Sequence, residues 1–231
     1  MMEIFKITKS VLNILCIVLC LDLGYRCFSS YCFDHVPSGT SRYYKHIFET
    51  NTEPASCVIL GASRASHHYV PEIIEDSLSL KSYNYGADGM NVMFQYLCLL
   101  KACSLSDELK CVIIDITRKQ LSGEWNTRIS EFQHYYWSNH DARECVDNVE
   151  GWKGKLKMIS SFVQYNETLF GSLYSLRSKS KNNNHGFQPL PYSGIEYDVT
   201  KDSQIYDADF ICDSLSLAYL HRITDLCESN N

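Results

Sequence analysis

The sequence predicts an α/β protein whose three-layer, doubly wound parallel sheet is preceded by an N-terminal transmembrane or signal helix. Three observations support this class: an apolar run near the N-terminus, short apolar runs that end at a glycine or a polar residue, and segments with helical apolar spacing between them. Strand and helix signals that alternate in this way are typical of a parallel sheet covered by helices on both faces. We expect a membrane anchor or signal segment at residues 1–27, a connector at 28–54 and the α/β domain at 55–231.

The composition argues against two classes of protein. With 45% hydrophobic residues the chain can bury a packed core, which argues against disorder along its whole length. The formal net charge is -6 and no long run of Lys and Arg occurs, so the chain lacks the basic surface that binding to a phosphate backbone requires. We therefore expect no nucleic-acid partner.

The eleven cysteines do not have the spacing of a disulfide framework. Their number is odd and no C-x-x-C pair occurs, so most of them are predicted to be small buried hydrophobes. Cys27 and Cys32 could form a disulfide if the domain is exported. His67 and His68 are adjacent and H-E-x-x-H is absent, so we expect no metal site and no cofactor.

The N-terminus has the pattern of a signal peptide or a signal anchor. Lys6 and Lys9 precede an apolar run at residues 11–21. Extended from Ile4 to Tyr25, this segment approaches the ~20 residues that a bilayer-spanning helix needs. No convincing small-x-small cleavage site follows, so we favour an uncleaved anchor; an amphipathic helix that caps the domain is the alternative. The two lysines predict an N-terminus in the cytoplasm and the rest of the chain outside.

Three segments predict the strands of a parallel sheet: the first and third contain apolar runs typical of buried strands, and the second is a short strand closed by Gly86 and Gly89. They lie at residues 57–60, 82–85 and 109–116. Between them, Pro71 opens a helix, a position that suits proline, and residues 90–102 form a strongly apolar helix. These five elements make one βαβαβ half of a doubly wound sheet.

The second half of the chain has a looser pattern. Residues 152–176 predict one or two helices, residues 178–202 form a long loop, and Asp213 is a suitable N-cap for a last helix. One short helix is expected in the connector, near residues 43–48.

The residues best suited to chemistry follow the first strand, in the segment 61–68. In an open parallel sheet the functional site lies beyond the carboxyl ends of the strands, and Ser63 falls there, near the start of a helix. A serine in that position can be a nucleophile, or it can be a helix cap. The segment is not a G-x-S-x-G elbow, because Ala65 stands where the second glycine would be.

Three segments, Val58–Arg64, Asn84–Asn91 and Val112–Ile116, resemble the first three strand-end blocks of the SGNH (GDSL-like) hydrolases. The likeness is closest to membrane-anchored bacterial members encoded near genes for cell-surface polysaccharides, and it covers residues 56–120 well. It implies ester hydrolysis or O-acetyl transfer on a glycan that carries acetyl or other esters. It also implies a single-pass protein of the bacterial cytoplasmic membrane whose C-terminal domain is extracytoplasmic.

The resemblance assigns roles to four residues. Ser63 would attack the ester carbonyl, and the backbone N–H of Gly89 would bind the resulting oxyanion together with the amide of Arg64 or Ser63. Asn91 would be a further binding residue of the oxyanion site. The Arg64 side chain could hold an anionic group of the substrate, or it could form a salt bridge that fixes the loop.

Two features of the family are missing from this sequence. Lys119 stands about where the third block carries an asparagine as an oxyanion donor, so Lys119 or Gln120 would have to replace it. The family takes its general base from an Asp-x-x-His motif near the C-terminus, and no such motif occurs.

The remaining histidines are weak candidates for that base. His67 and His68 lie only four and five residues after Ser63, and His134 follows Glu131 at an acid-x-x-His spacing within an aromatic-rich stretch that predicts a surface or packing role. Two hypotheses therefore stay open. The chain is either a truncated form of an ester hydrolase, or a catalytically inactive binding or assembly module of the cell envelope.

Overall fold

The computed structural model describes residues 2–35, 54–126, 128–129, 132–166, 169–170, 173, 176, 185–190 and 210–229. Within these residues the α-helices are α1 Met2–Asp34, α2 Ser63–His68, α3 Pro71–Leu78, α4 Val92–Leu105, α5 Arg118–Leu121, α6 His140–Lys157, α7 Ser161–Gln164 and α8 Ser214–Ser229. The strands are β1 Cys57–Gly61, β2 Ser82–Asn84 and β3 Cys111–Asp115. The short helix expected near residues 43–48 and most of the loop expected at 178–202 lie outside the described residues.

The chain divides into two compact units. The anchor unit comprises Met1–His46 and Ile129–Lys181. The sheet unit comprises Ile47–Arg128 and Asn182–Asn231. Each unit therefore combines two separate stretches of sequence.

The sheet unit contains, in the described residues, a parallel sheet with the strand order β2-β1-β3. Its central strand is β1, in which Ile59 pairs with Asn84 on one side and with Ile113 on the other. All five residues of β1 are buried, as the apolar run predicted. The α/β class, with a small parallel sheet and an N-terminal apolar helix, is therefore confirmed.

Local sequence signals explain where the helices of this unit begin. Pro71 is the first residue of α3, as predicted. The side chain of Asn91 caps α4 by accepting a hydrogen bond from the Phe94 N–H at 2.9 Å, so this helix begins two residues later than predicted. Asp213 caps α8 as predicted, because its carboxylate accepts a hydrogen bond from the Ser216 N–H at 2.8 Å.

The third strand differs from the prediction of a fully buried strand. Only Asp115 of β3 is buried, and the other four residues are half-buried. In the described residues β3 lies at an edge of the sheet, and its residues Cys111 and Val112 line a pocket of about 180 Å³ whose other walls come from α4, α8 and the turn before β3. The prediction was wrong because an apolar run does not reveal whether a strand has neighbours on both of its edges.

The eleven cysteines are free thiols, so the alternative of a disulfide between Cys27 and Cys32 is not observed. Burial, reinforced by the neighbouring Cys111 thiol, raises the pKa of Cys57 to about 12, so the Cys57 thiol is neutral at pH 7. The buried cysteines, which match the expectation, are Cys32, Cys57, Cys98 and Cys145. The exposed cysteines, which do not match it, are Cys16, Cys20, Cys27 and Cys212.

The anchor unit begins with α1, a helix of 33 residues. Its segment Phe5–Phe33 is long and apolar enough to cross a membrane, a criterion that a signal sequence also meets. The predicted N-terminal apolar helix is therefore confirmed. It continues past the expected boundary at residue 27 and ends at Asp34.

The second stretch of the anchor unit contains α6 and α7. Helix α6 begins at His140, well before the predicted start at residue 152, because Asn139 caps it by accepting a hydrogen bond from the Ala142 N–H at 2.8 Å. Gly151, with a φ of 61°, interrupts the helical backbone of α6. The predicted start at residue 152 therefore marks the second part of a longer, kinked helix.

The carboxylate of Asp213 makes the start of α8 sensitive to pH. Besides capping the helix, it accepts hydrogen bonds from Asn126 Nδ2 at 2.8 Å and from Ser216 Oγ at 2.9 Å. Burial raises the pKa of Asp213, but these hydrogen bonds outweigh burial and lower the pKa below its ordinary value. The bonds therefore stabilise the fold above the unfolded-state pKa of about 4 and are lost as the pH falls through the folded-state pKa.

We expect Asp213→Ala to lower the free energy of unfolding by about 1 kcal/mol at neutral pH, because α8 loses its cap. The measurement is urea unfolding of the full chain in detergent. As the pH falls below about 4 and through the lowered folded-state pKa, the difference from the wild type should shrink, because the wild-type carboxylate becomes protonated there. Asp225→Ala, which removes an exposed carboxylate from the same helix, is the control; an equal loss in both variants would contradict the assigned role of Asp213.

Candidate functional site

Ser63 is the first residue of α2 and lies immediately beyond the carboxyl end of β1. It is half-buried, and in the part of the chain that the structure describes no hydrogen bond engages its hydroxyl. The N-cap of α2 is Ala62, and no side chain caps this helix. The interpretation of Ser63 as a helix cap is therefore wrong, whereas its role as a nucleophile stays a prediction.

The loop that follows β2 packs directly against α2. The buried side chain of Asn84 donates hydrogen bonds to the carbonyl oxygens of Ala65 and Tyr69, at 2.7 and 2.8 Å, and accepts one from the Gly86 N–H at 2.7 Å. A Cβ at Gly86 would collide with the backbone nitrogen of Ser66 and would lie 2.8 Å from the Ala65 carbonyl carbon. Only glycine therefore allows this close approach of the two backbones.

Gly89 lies further along the same loop in the left-handed conformation, with a φ of 68°. Among the described residues its backbone N–H has no hydrogen-bond partner. The guanidinium group of Arg128 fills the space that a Cβ of residue 89 would occupy, and its Nη1 atom lies 3.4 Å from the Asp88 carbonyl oxygen. The predicted oxyanion donor is thus an unpaired N–H beside a cation.

The Arg64 side chain connects α2 to the end of β3. Its Nη2 and Nε atoms donate to one carboxylate oxygen of Asp115, at 2.6 and 3.1 Å, and Nη2 also donates to the Ile116 carbonyl oxygen at 3.1 Å. The hydroxyl of Tyr69 donates to the other Asp115 oxygen at 3.2 Å. Burial, followed by the negative charge of Asp115, raises the pKa of Tyr69. Of the two roles left open for Arg64, the structure contains the salt bridge that fixes the loop.

Asn91 is almost completely buried, with 1% of its surface exposed. Besides capping α4, its amide group donates a hydrogen bond to the Trp125 carbonyl oxygen at 3.3 Å. The Gln120 amide group is also hydrogen-bonded to backbone: it donates to the Met90 carbonyl oxygen at 2.8 Å and accepts from the Thr117 N–H at 2.8 Å. These amides hold the backbone in place, and the binding role assigned to Asn91 stays a prediction.

His67 lies one helical turn after Ser63, and its ring contacts two segments outside α2. Its Nδ1 atom lies 2.6 Å from the Gln188 carbonyl oxygen, and its Nε2 atom lies 2.9 Å from a carboxylate oxygen of Asp88. Both oxygens are acceptors, so both hydrogen bonds form together only when each ring nitrogen carries a hydrogen. In that state His67 cannot accept a proton from Ser63.

The other two candidate bases have different surroundings. His68 is exposed on the surface of α2. His134 belongs to the anchor unit, where its ring stacks on Phe33 with the ring centroids 3.7 Å apart. Its predicted packing role is therefore confirmed.

Sequence reasoning missed Arg128 as a component of this site. The residue lies in a stretch without regular hydrophobic spacing, and no motif marks it. Trp125 comes three residues earlier, and its ring lies 5.9 Å from the Arg128 guanidinium carbon. An arginine placed three residues after a tryptophan was the one signal that could have drawn attention to it.

One group of side chains elsewhere could reach a single metal ion. In the described residues the ligand atoms of His140, Asp141 and Glu144, at the start of α6, lie within 4.8 Å of one another. Exposed acidic groups beside a histidine are common without a metal. The cluster therefore assigns no metal to this protein.

Comparison with known proteins gives no relative from which roles could be transferred to these residues. No protein-family model, no curated protein and no solved structure matches the chain. The resemblance to SGNH hydrolases therefore depends on the three strand-end segments alone, at residues 58–64, 84–91 and 112–116.

We expect Arg64→Ala to lower the free energy of unfolding by about 1–2 kcal/mol, because Asp115, with 8% of its side chain exposed, loses a charged donor. Arg64→Lys should restore less than half of that loss, because one ammonium group cannot replace the Nε and Nη2 donors that reach Asp115 and the Ile116 carbonyl oxygen together. Urea unfolding in detergent measures both variants.

Lys119→Ala, which removes an exposed cation from α5, is the control for a general effect of charge. An Arg64→Ala protein as stable as the wild type would contradict the structural role of the ion pair. That result would favour the other role left open for Arg64, which is binding of a substrate anion.

Proposed function

We propose that the sheet unit is an SGNH-like serine esterase or acyl-transfer domain, with a three-layer doubly wound fold, that acts on ester groups of a cell-surface glycan. We place it outside the bacterial cytoplasmic membrane, held there by α1. One observation carries the proposal: Ser63 follows the central strand of a parallel sheet and is half-buried, with a hydroxyl that no described residue engages. This edge of the sheet is where open α/β folds place their sites.

The loop after β2 supports the proposed oxyanion site. The Gly89 N–H is unpaired in the described residues, and the Asn84 hydrogen bonds hold its loop against α2. Donors that are fixed in advance stabilise a developing oxyanion without reorganising during the reaction. Arg128 adds a positive charge beside Gly89, which favours the same negative oxygen.

The proposed reaction begins with attack of Ser63 Oγ on the ester carbonyl carbon, whose oxygen becomes the oxyanion beside Gly89. The C–O bond to the alcohol then breaks, the alcohol leaves with a proton, and the acyl group stays on Ser63. Water, or a second alcohol in a transferase, removes the acyl group and restores the serine. The first step needs an acceptor for the Ser63 proton, which the resemblance assigns to an Asp-x-x-His motif that this sequence lacks.

The contacts of His67 favour a second candidate function, which is a non-catalytic binding or assembly module. Both ring nitrogens of His67 are engaged by Asp88 and Gln188, and the charge of Arg64 is balanced by Asp115. These two basic side chains of α2 thus hold neighbouring segments of the chain in place. A module of this kind would bind an ester-bearing glycan through hydrogen bonds at the same edge of the sheet without forming a covalent bond.

We expect the purified full chain in detergent to react with a fluorophosphonate probe at Ser63, identified by peptide mass spectrometry. Ser63→Ala should abolish the labelling and lower the turnover of an acetyl ester on the order of 10³-fold or more, because the nucleophile is lost. Ser77→Ala is the matched control: its hydroxyl donates to the Ile73 carbonyl oxygen within α3, at the opposite end of the strands.

Labelling that is absent from a folded wild-type protein would contradict the esterase proposal. Retained binding of an acetylated glycan by both the wild type and Ser63→Ala would then support the binding module. Urea unfolding of each variant shows whether the protein is folded.

A further inference from the structure

The anchor unit exposes a group of apolar side chains next to Asp22 and Tyr25 of α1. Ile159 and Trp152 have 72% and 69% of their surfaces exposed. The group, called the apolar patch below, consists of Trp152, Leu156, Ile159, Phe162 and Val163. Soluble surfaces rarely concentrate large apolar residues in this way, and such patches mark contacts with proteins or membranes.

Direct contacts fix the position of this patch along the axis of α1. The carboxylate of Asp22 accepts hydrogen bonds from Ser160 Oγ at 2.9 Å and from the Ser161 N–H at 2.8 Å, which places the start of α7 on α1. One turn later, the ring of Tyr25 stacks on Phe162 with the centroids 4.3 Å apart. The depth of the patch is therefore set by the depth of Asp22.

Asp22 lies within the apolar segment Phe5–Phe33 of α1, which is longer than one bilayer crossing requires, so its charge marks where the crossing ends. At 1.5 Å per residue, the helix between Phe5 and Asp22 is about 26 Å long, close to the ~30 Å thickness of the hydrocarbon core. A carboxylate is unfavourable within that core, and Tyr25 is of the residue type enriched at its edge. When α1 spans the bilayer, Asp22 and the attached α7 therefore lie among the headgroups.

The segment that carries the patch also carries charges suited to that region. Lys153, Lys155 and Lys157 alternate with the apolar residues and are exposed. Lys155 forms an ion pair with Asp147 at 3.5 Å and Lys157 forms one with Glu150 at 2.5 Å, whereas Lys153 has no acidic partner in the described residues. Lysines of this kind extend to headgroups while neighbouring apolar side chains enter the acyl boundary.

We propose that the apolar patch is a second membrane contact, which lies in the headgroup region of the bilayer that α1 spans. Its partner is the lipid surface at the Asp22 end of α1, and its apolar side chains enter the outer part of the acyl chains. The inference rests on the proposed membrane span and not on the chemistry of Ser63. Insertion of the apolar patch would hold the anchor unit against the membrane surface.

The test reconstitutes the full chain into vesicles of phosphatidylethanolamine and phosphatidylglycerol that contain lipid brominated near the headgroup end of the acyl chain. Bromine quenches tryptophan fluorescence at short range. All variants carry Trp137→Phe, because Trp137 is exposed and its Nε1 atom donates to the Met158 carbonyl oxygen beside the patch at 3.2 Å. In that background we expect quenching, and Trp152→Phe should remove most of the quenchable emission. Trp125→Phe, a change in the sheet unit, is the matched control and should remove little.

A second variant keeps Trp152 as the reporter. Leu156→Gln combined with Ile159→Gln changes two exposed side chains, so the fold should be retained while insertion of the patch is weakened. We expect a clear loss of Trp152 quenching in this variant. Unchanged quenching would contradict insertion of the patch.

Flotation of the same vesicles after an alkaline carbonate wash separates failure of the patch from failure of the anchor. Protein that floats with the vesicles but shows no Trp152 quenching retains its anchor and overturns the inference. Cross-linking of two copies through the patch in that case would identify a second chain as the occupant. Protein that the wash releases would overturn the membrane span and the inference with it.

Discussion

Asn84 is the last residue of β2, and its buried amide group makes three hydrogen bonds, to Ala65 and Tyr69 and from Gly86. These bonds span the start of α2, its end and the loop after β2. A buried amide left without its partners costs about 1–3 kcal/mol for each unmet group, so the three segments are constrained to one arrangement. The position of Ser63 depends on this constraint, because the helix that begins with Ser63 is the one that Asn84 holds.

Two further contacts complete the carboxyl edge of the sheet and use most of its charged groups. Arg64 joins α2 to β3 through Asp115, and His67 joins α2 to Asp88 and to Gln188. The same contacts that make the edge rigid therefore leave Arg64 and His67 paired with carboxylates. A rigid edge suits a preorganised oxyanion site and a binding surface equally well. The two proposed functions differ in whether a group of the protein accepts the Ser63 proton.

The sequence was sufficient to predict most of the sheet and less of the site. The apolar run at 57–60 ends at a glycine, and this local signal is enough to locate a central buried strand. The half-exposed β3 could not be foreseen, because burial at an edge depends on neighbours elsewhere in the chain. Likewise, spacing placed Ser63 correctly after β1, whereas the partner of Arg64 and the approach of Arg128 to Gly89 are tertiary contacts without a local pattern.

In the anchor unit, a similar constraint operates through Asp22. Its carboxylate lies within the apolar helix α1 and accepts hydrogen bonds from Ser160 and Ser161, so the start of α7 moves with that carboxylate. Moving Asp22 into hydrocarbon would carry these polar groups out of water, and moving it into bulk water would expose more of the apolar helix. Both shifts cost free energy. The stacked rings of Tyr25 and Phe162 are more favourable at the membrane interface than in water or in hydrocarbon, because aromatic side chains favour the interface. In the proposed membrane-spanning state, the contacts of Asp22 therefore link the depth of α1 to the position of α7.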